Sequence, residues 1–322
     1  MGENSNYLHS TSQSEMRILP LFSYLNSGHT RPVVHLSFSR LLENNQYYLI
    51  SSCKDGNPML RDGITGDWIG TFLGHKGATW SSRFNKDADK AVTGSADFSA
   101  KVWDTYTGNV IQSFSHEHIV RSVDFSGDSR EIVTGGNEKR VRVFSLNAPL
   151  TPVFDLSGHK GTIKSVIWAD NFIISSGDDE KVRWWDLRIS KEVDTFDAGE
   201  FVTNSEKSLG GEYLLVVAGK KIYFIDSKTH QTVKTIVTEY DVSSVSLHPQ
   251  KTTFVTGGSS QLWVRVYDFE TEKELKVYKG HHGPIHCVSF SPDGGLYATG
   301  SEDGTIRLWK SQPGPYGLWQ CV

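Results

Sequence analysis

The chain has 322 residues, of which 37% are hydrophobic and 11% aromatic, so it can bury a sizeable core and wholesale disorder is excluded. Its 33 basic and 37 acidic residues leave a formal charge of −4, which gives no support for a general affinity for nucleic acid backbones. Three widely spaced cysteines (Cys53, Cys287 and Cys321) form neither a disulfide framework nor a Cys-x-x-Cys metal knuckle, and are typical of reduced thiols in a cytosolic or nuclear protein.

The N-terminal segment is read in two parts. Residues 1–16 are polar and lack the apolar segment of a signal peptide, so we interpret them as a disordered leader. The apolar stretch "RILPLFSYL" follows at residues 17–25. No apolar run in the chain approaches the ~20 residues that span a bilayer, so no membrane partner is predicted.

From residue 28 onward the chain repeats itself. A short β-like run ends in Asp, or in a residue standing in its place, at a near-constant spacing of 42, 41, 41, 40, 42 and 42 residues. The closing residues are Asp62, Asp104, Ser145, Asp186, Asp226, Asp268 and Lys310. Seven units of about forty residues indicate a repeat architecture rather than two separate domains.

Each unit has the same anatomy. Gly-His precedes a first strand in several units, as at Gly74-His75 and Gly280-His281, and a turn, a second strand, an acidic turn and a third strand ending in Trp-Asp follow. A fourth strand completes the unit. This pattern is typical of an all-β, seven-bladed WD40 β-propeller, here predicted to span residues 17–312. We expect residues 17–25 to supply the outer strand of the last blade and so close the ring.

Polar residues recur at fixed offsets in units two, four and seven. The three sets are His75, Thr93, Asp97 and Trp103; His159, Ser175, Asp179 and Trp185; and His281, Thr299, Asp303 and Trp309. His, Asp and a hydroxyl resemble a hydrolase triad, but a catalytic site occurs once in a chain and these sets occur three times. We therefore interpret them as structural hydrogen-bond tetrads and predict no catalytic residue.

The other units depart from this pattern. Arg61 replaces the Trp of unit one, and unit three has "SHEH" in place of Gly-His and Phe144 in place of Trp. Units five and six lack Gly-His and end in Ile225 and Tyr267. We expect packing, rather than a polar network, to hold blades five and six.

Motifs for other chemistry are weak or missing. The sequence contains no phosphate-binding loop, zinc-protease motif or nucleophile elbow. The cluster "GHHGPIHC" invites a zinc hypothesis, but neighbouring residues on one strand point to opposite faces, so we predict no metal and no cofactor. The basic stretches "NEKRVRV" and "GKKIYF" are typical of half-exposed strands, which makes direct nucleic acid binding a secondary hypothesis. No small-molecule substrate is predicted.

Function is expected at one rim of the propeller. The loop before each first strand and the acidic turn lie at the same end, around the narrower mouth of the channel. The residues predicted to project there are Val34, Lys54, Ala96, Trp80, Arg121, Lys164, Asp178, His286 and Glu302. A Trp flanked by Arg, Lys and His has the composition of an interaction hot spot, although inter-blade packing is the alternative for Trp80. The C-terminal tail, residues 313–322, is expected either to fold back or to act as a docking peptide.

The chain also resembles one particular family. The stretches "GHTRPVVHLSFS", "LISSCKDGNPMLRDGITGDWIGTFLGHKGATW", "SADFSAKVWD", "GHHGPIHCVSFSPDG" and "YGLWQCV" closely resemble the serine-threonine kinase receptor-associated protein (Unrip) family. The resemblance covers residues 17–322, and it includes the defective first unit that ends in "PMLRD". It is less distinct in units four to six.

This resemblance implies a non-enzymatic scaffold found in cytoplasm and nucleus. It implies partners among the Gemin-type, Sm-like subunits of a survival-of-motor-neuron complex, and a role in assembling Sm cores on spliceosomal small nuclear RNAs for mRNA splicing. A role as a signalling adaptor is a further implication. The alternative is the related WD40 subunit i of translation initiation factor three, or another interaction propeller.

Overall fold

The computed structural model describes residues 24–26, 28–148 and 151–312. Within these residues the chain forms seven four-stranded antiparallel sheets, each made of strands that are consecutive in sequence apart from one at the closure. The predicted seven-bladed, all-β propeller is therefore confirmed. The predicted leader, residues 17–23 and the predicted tail 313–322 lie outside the described residues. In the described part of the chain, no helix is long and apolar enough to cross a membrane.

The strands follow one another in chain order, starting with β1 (Tyr24–Asn26). Blade one contains β2 (Val33–Phe38), β3 (Tyr48–Cys53), β4 (Met59–Asp62) and β5 (Trp68–Thr71). Blade two contains β6 (Thr79–Phe84), β7 (Lys90–Ser95), β8 (Ser99–Asp104) and β9 (Val110–Ser115). Blade three contains β10 (Val120–Phe125), β11 (Glu131–Gly136), β12 (Arg140–Ser145) and β13 (Phe154–Ser157).

The remaining blades repeat this order. Blade four contains β14 (Ile163–Ala169), β15 (Phe172–Gly177), β16 (Lys181–Asp186) and β17 (Lys191–Asp197). Blade five contains β18 (Val202–Lys207), β19 (Tyr213–Ala218), β20 (Lys221–Asp226) and β21 (Thr232–Val237). Blade six contains β22 (Val242–Leu247), β23 (Thr253–Gly258), β24 (Trp263–Asp268) and β25 (Glu274–Lys279). Blade seven contains β26 (Ile285–Phe290), β27 (Leu296–Ser301) and β28 (Ile306–Lys310).

The ring is closed by the first strand. β1 is the fourth strand of blade seven and pairs antiparallel with β28, from Tyr24 opposite Leu308 to Asn26 opposite Ile306. This confirms the predicted closure, with the described pairing shifted to the C-terminal end of the predicted segment. Closure gives blade seven the same four strands as the other blades and joins the two ends of the chain in one sheet, so the ring has only short strand edges.

The hydrophobic core is divided among the seven interfaces between blades. Between blades two and three, for example, Val92 and Val102 pack with Phe114, Val120 and Phe144 in one cluster, and equivalent clusters lie at the other interfaces. The second strand of each blade is buried on both faces except at its first residue. Each blade therefore depends on both neighbours for its core.

Polar side chains tie the inner edges of adjacent blades together. Ser122 and Asp124 on β10 accept backbone N–H groups of Val166 (2.9 Å) and Trp168 (2.8 Å) on β14. Ser244 on β22 accepts the N–H of Val288 in the same way (3.2 Å). These bonds satisfy backbone groups of the innermost strands that no fifth strand could reach, since the channel lies on that side.

Candidate partner-binding rim

The predicted tetrad of blade two forms one continuous hydrogen-bond chain. Trp103 donates its indole N–H to Thr93 Oγ1 (2.8 Å), and Thr93 lies 2.7 Å from His75 Nε2. His75 Nδ1 lies 2.8 Å from Asp97 Oδ2. Because the Trp N–H occupies a lone pair of the hydroxyl, the hydroxyl proton points to Nε2, and Nδ1 then carries the proton donated to Asp97.

The same chain of contacts recurs in blades four and seven. Trp185 donates to Ser175 (2.7 Å), which lies 2.6 Å from His159, and His159 lies 2.9 Å from Asp179. In blade seven, the matching distances are 2.9 Å for Trp309 to Thr299, 2.7 Å for Thr299 to His281 and 3.1 Å for His281 to Asp303. Each Asp also accepts the backbone N–H of the residue after the His.

In these sets a hydroxyl contacts His and the His contacts Asp, as in a Ser-His-Asp catalytic triad, yet their role is structural. The hydroxyl-bearing residues Thr93, Ser175 and Thr299 have no exposed surface, and each hydroxyl oxygen already accepts a Trp N–H. A nucleophile must reach a substrate carbonyl, and none of these three oxygens has a path to one. Each set instead links the loop, the second strand and the third strand of its blade.

Blades one and three keep part of the network with altered residues. In blade one, His29 contacts both Asp55 (3.0 Å) and Ser51 (2.8 Å), while Arg61 lies buried in the place of Trp. In blade three, His116 contacts Thr134 (2.9 Å). Glu138 takes the place of Asp there and accepts the backbone N–H of Glu117 (2.6 Å).

Blade six shows that one sequence-based expectation was wrong. We expected packing alone to hold blades five and six, but Tyr240 in blade six contacts the hydroxyls of Thr256 (2.7 Å) and Tyr267 (3.0 Å) in a buried network. The Tyr240 phenol thus makes the hydrogen bond to the strand hydroxyl that the His imidazole makes in the full tetrads. In blade five, Val216 and Ile225 occupy the hydroxyl and Trp positions and are fully buried, so that blade alone has an apolar centre.

This difference gives a first prediction. Thr256→Val keeps the side-chain shape but leaves the buried hydroxyl of Tyr240 with one partner fewer, so we expect the free energy of unfolding to fall by about 1–2 kcal/mol. Thr232→Val, on the exposed outermost strand β21, is the control and should change stability by less than about 0.5 kcal/mol. Urea unfolding measures both. Equal effects would mean that the Tyr240 network adds no stability.

A second prediction concerns pH. Burial lowers the pKa of His281 to about 4, although Asp303 acts in the opposite direction. Burial alone would raise the pKa of Asp303, but hydrogen bonds from Thr305 and His282 lower it to about 2. The folded protein therefore takes up both protons less readily than the unfolded chain, and stability is lost as pH falls, first from about 6.5 towards 4 and then towards 2.

The measurement is the free energy of unfolding between neutral pH and about pH 4. The His281 site alone contributes about 3 kcal/mol of loss over this interval, because one pKa unit is worth 1.36 kcal/mol. His281→Gln should flatten the slope by about one proton, whereas His282→Gln, at the exposed neighbouring position, should not. An unchanged slope in His281→Gln would contradict the assignment.

The rim itself is organised by β-bulges. The pairing of the first and second strands shifts register once in every blade, immediately after the first residue of the innermost strand. Each blade thus has one residue that the pairing leaves out. In blades one to seven, respectively, these residues are Val34, Trp80, Arg121, Lys164, Thr203, Ser243 and His286. A bulge re-aims a side chain, so these seven residues form a ring at one mouth of the channel. We call them the bulge ring.

Five members of the bulge ring belong to the predicted rim, and two were missed. Thr203 and Ser243 escaped because the sequence analysis counted from the Gly-His that blades five and six lack. Their hydroxyls donate to backbone carbonyls of the following blade, Val242 and Ile285, respectively. Aligning Val202 and Val242 with the first residues of the other innermost strands would have found them.

One group of predicted rim residues meets across blades seven and one. Glu302 contacts His286 Nε2 (2.5 Å) and Lys54 Nζ (3.5 Å). The hydrogen bond from His286, followed by the attraction of Lys54, lowers the pKa of Glu302. Val34 is half-buried in the same region of the ring, and all of these groups are open to solvent on one side.

A second group lies on blades two to four. The Arg121 guanidinium stacks 3.8 Å from the centre of the Trp80 ring, across the boundary between blades two and three. Arg121 also donates to Asn137 (3.3 Å), and Lys164 contacts Asp178 (3.4 Å) on blade four. Trp80 is half-exposed, and its buried indole N–H has no hydrogen-bond partner among the described residues. The stacking on Arg121 fits the inter-blade packing alternative for Trp80, and its role as an interaction hot spot stays a prediction.

Two exposed aromatic residues at this end of the propeller were not predicted. Phe98 follows the turn Asp of blade two with φ of 65°, is 44% exposed and contacts the ring of His118. Phe201 directly precedes β18 and is 62% exposed. A bulky residue with positive φ is unusual, but Phe98 stands where units one and seven have Gly56 and Gly304, also with positive φ, so aligning the turns of the repeat would have indicated it.

The structure separates the residues of the zinc hypothesis. His281 is held by Asp303 and Thr299, His286 by Glu302, and Cys287 is buried between blades seven and one. A different set, His29, Cys53 and Asp55, brings its ligand atoms within 4.8 Å of one another. Here His29 already contacts Asp55 and Ser51, and burial raises the pKa of the Cys53 thiol to about 12, so the set is the blade-one network.

The basic stretches are neutralised in part by acidic neighbours. Arg140 contacts Asp155 (3.0 Å), Arg142 contacts Glu138 (2.5 Å), and Lys221 contacts Glu200 (3.7 Å). Phosphate binding requires cations that are free to exchange counterions for phosphate. These pairs therefore favour the reading of both stretches as ordinary strand faces.

Comparison with known proteins agrees with this geometry. The family model "WD domain, G-beta repeat" matches residues 66–104, 108–145, 150–186 and 272–310. The serine-threonine kinase receptor-associated protein of Gallus gallus is 49% identical over 92% of this chain and 85% of its own length. That of Dictyostelium discoideum is 48% identical over 88% of this chain and 97% of its own length. Eukaryotic translation initiation factor 3 subunit I of Culex quinquefasciatus is 29% identical over 87% of this chain.

Proposed function

This chain belongs to the serine-threonine kinase receptor-associated protein family of WD40 proteins, and from that membership we propose that it is a non-enzymatic scaffold for assembling Sm cores on spliceosomal small nuclear RNAs. Its partners in this proposal are Gemin-type, Sm-like subunits of a survival-of-motor-neuron complex. It works in the cytoplasm and the nucleus, where such assemblies are built and used.

The observation that carries the proposal is the extent of the family match. Identity of 48–49% extends over about nine-tenths of the chain for family members, against 29% for an initiation factor subunit. A match over about nine-tenths of the chain includes the segments that carry the loops and the rim, where partners bind. The rim supplies a stacked Trp80–Arg121 pair of the composition found in hot spots.

A scaffold rather than an enzyme is supported by the polar network. The three full tetrads, and their variants in blades one, three and six, use their His, hydroxyl and acidic groups for contacts within single blades. The contacts available on the rim are charged and aromatic groups arranged around the channel mouth. Such groups recognise a protein surface by stacking and by charge complementarity.

A second role as a signalling adaptor is part of the proposal. Its support is the name of the family members, which describes association with serine-threonine kinase receptors. A propeller offers separate faces and several blade interfaces, so a receptor and a ribonucleoprotein subunit need not compete for one site.

The test is copurification of the tagged, full-length chain from its own cells, with partners identified by mass spectrometry. We expect Gemin-type and Sm-like proteins to be enriched over a tag-only control. Enrichment of initiation factor three subunits in their place would reject the proposal in favour of the alternative function.

A further inference from the structure

The end of the channel opposite the rim opens into a cavity of about 590 Å³. Its wall is formed where the innermost strands of blades one to five end and run into their next loops. We call it the lower cavity and define it by Arg40, Arg83, Lys86, Asp124, Trp168 and Lys207. It is separated from the bulge ring by the length of the innermost strands.

Cations without acidic partners characterise this cavity. Arg83 on β6 makes one long hydrogen bond, from Nη1 to Ser37 Oγ (3.4 Å). The ion pairs between described residues include none of Arg40, Arg83, Lys86 or Lys207. Elsewhere on the propeller, by contrast, Arg140, Arg142 and Lys221 are each paired with an acidic residue.

Two carboxylates, Asp124 and Asp170, belong to the cavity wall, and Glu206 lies next to it in the chain, one residue before Lys207. Asp124 accepts backbone N–H groups with both oxygens, from Phe125 (2.9 Å) and Trp168 (2.8 Å). Glu206, one residue before Lys207, accepts the Ser246 hydroxyl (2.9 Å). Burial in the channel raises the pKa of Glu206 to about 7, although Arg83 and Ser246 act to lower it. Four cations (Arg40, Arg83, Lys86 and Lys207) thus face the carboxylates of Asp124 and Asp170 and a Glu206 that is only partly ionised near pH 7, which leaves the cavity with a net positive charge.

We propose that the lower cavity binds an acidic side chain of a partner peptide, and that Arg83 contacts its carboxylate. The planar guanidinium presents paired N–H groups that match the two carboxylate oxygens. Arg40, Lys86 and Lys207 attract the approaching negative charge. The remaining wall includes Phe38, Ile167 and Trp168, apolar surface that suits a peptide and that a free phosphate ion would leave uncovered.

Glu206 makes this binding depend on pH. Arg83 and Ser246 act on Glu206 directly and Lys207 is the next residue, while Arg83 also acts on Asp124 and on His35, whose pKa burial lowers well below its usual value. His35 therefore stays neutral near pH 7, while Glu206 takes up a proton as pH falls through about 7. Loss of that negative charge beside Arg83 removes a repulsion, so an acidic peptide binds more tightly at pH 6 than at pH 8.

The experiment uses isothermal titration calorimetry of the full chain at low ionic strength with a capped hexaglutamate peptide. A capped hexaglutamine peptide is the neutral control. We expect Arg83→Gln to weaken hexaglutamate binding by roughly ten- to a hundredfold, as for other charged hydrogen bonds. Arg130→Gln, an exposed arginine on the same face but outside the cavity, should have no effect. Glu206→Gln should abolish the pH dependence and keep the tight binding at pH 8.

Several outcomes would overturn the proposal. Equal binding by wild type and Arg83→Gln would remove Arg83 from the site, and equal binding of the two peptides would remove the need for charge. Inorganic phosphate competing at the same concentrations as hexaglutamate would indicate a small-anion site in place of a peptide site. If Arg83→Gln does not fold, Arg83→Lys decides: it keeps the charge but loses the paired geometry, and unchanged affinity would contradict the assigned contact.

Discussion

Trp103→Ala is expected to lower the free energy of unfolding by about 3–5 kcal/mol, the usual loss for a buried aromatic side chain. Trp103 has no exposed surface and packs against Phe72 of blade one and His75 of its own blade. Its removal opens a void between two blades and leaves the Thr93 hydroxyl without the indole N–H donor. The hydrogen bond lost within blade two adds to the cost of the void between the blades, which places the expected loss towards the upper end of this range.

The control is another tryptophan of the same two-blade region. Trp68 on the outermost strand β5 is 61% exposed, and its indole N–H donates to Thr71 on the same strand (3.1 Å). Trp68→Ala should change stability by less than about 0.5 kcal/mol. Urea unfolding at neutral pH measures both variants. A loss below about 1 kcal/mol for Trp103→Ala would contradict the role of Trp103 in packing blade two against blade one.

The fold was predictable because the same pattern of strands and turns recurs seven times in the sequence. A single stretch such as "YATGSEDGTIRLWK" is compatible with an isolated hairpin, but the constant spacing from Asp62 to Lys310 requires seven equivalent units. Closure was predictable for a similar reason, since the last unit has three strands and needs a fourth. Which residues of the segment pair with β28 was not, because no turn residue in the segment fixes its register, and the described pairing runs from Tyr24 to Asn26.

The candidate site was predictable only as far as its blades follow the consensus. Counting from His75 or His281 located Trp80 and His286, but Ala198 precedes β18 where a His would be expected, and Thr203 was missed. The stacking of Arg121 on Trp80 depends on how far one blade is rotated relative to the next, and no local sequence pattern records that angle. Tyr240 restores the blade-six network through a side chain that reaches from another position along the loop.

The lower cavity could not be predicted from the sequence, because it too depends on how the blades are placed around the channel. Arg83, Asp124 and Glu206 belong to three different blades and hold similar places on their innermost strands. Each looks like one polar residue on an alternating strand. Their charges combine only because the ring directs the same strand position of every blade into one channel, so a repeat can build a composite site from residues about forty apart.

The second large effect is expected at the rim. The double variant Trp80→Ala, Lys164→Glu should reduce capture of the Sm-like partners by more than roughly thirtyfold, the effect of losing one hot spot of about 2 kcal/mol. Trp80→Ala removes the aromatic ring beneath Arg121, and Lys164→Glu places an acidic group beside Asp178. The measurement is quantitative copurification of the variant against wild type from the same cells.

Thermal stability separates loss of contact from loss of fold. Trp80 is half-exposed, and its replacement removes a buried N–H that has no partner among the described residues, which offsets part of the lost packing. The double variant should therefore melt within a few degrees of wild type. The matched control, Trp68→Ala with Lys191→Glu, makes the same two changes on exposed positions away from the rim and should keep full capture. A large drop in melting temperature for the rim variant would make Trp80 a core residue, and equal capture by both variants would place the partner site on another surface of the propeller.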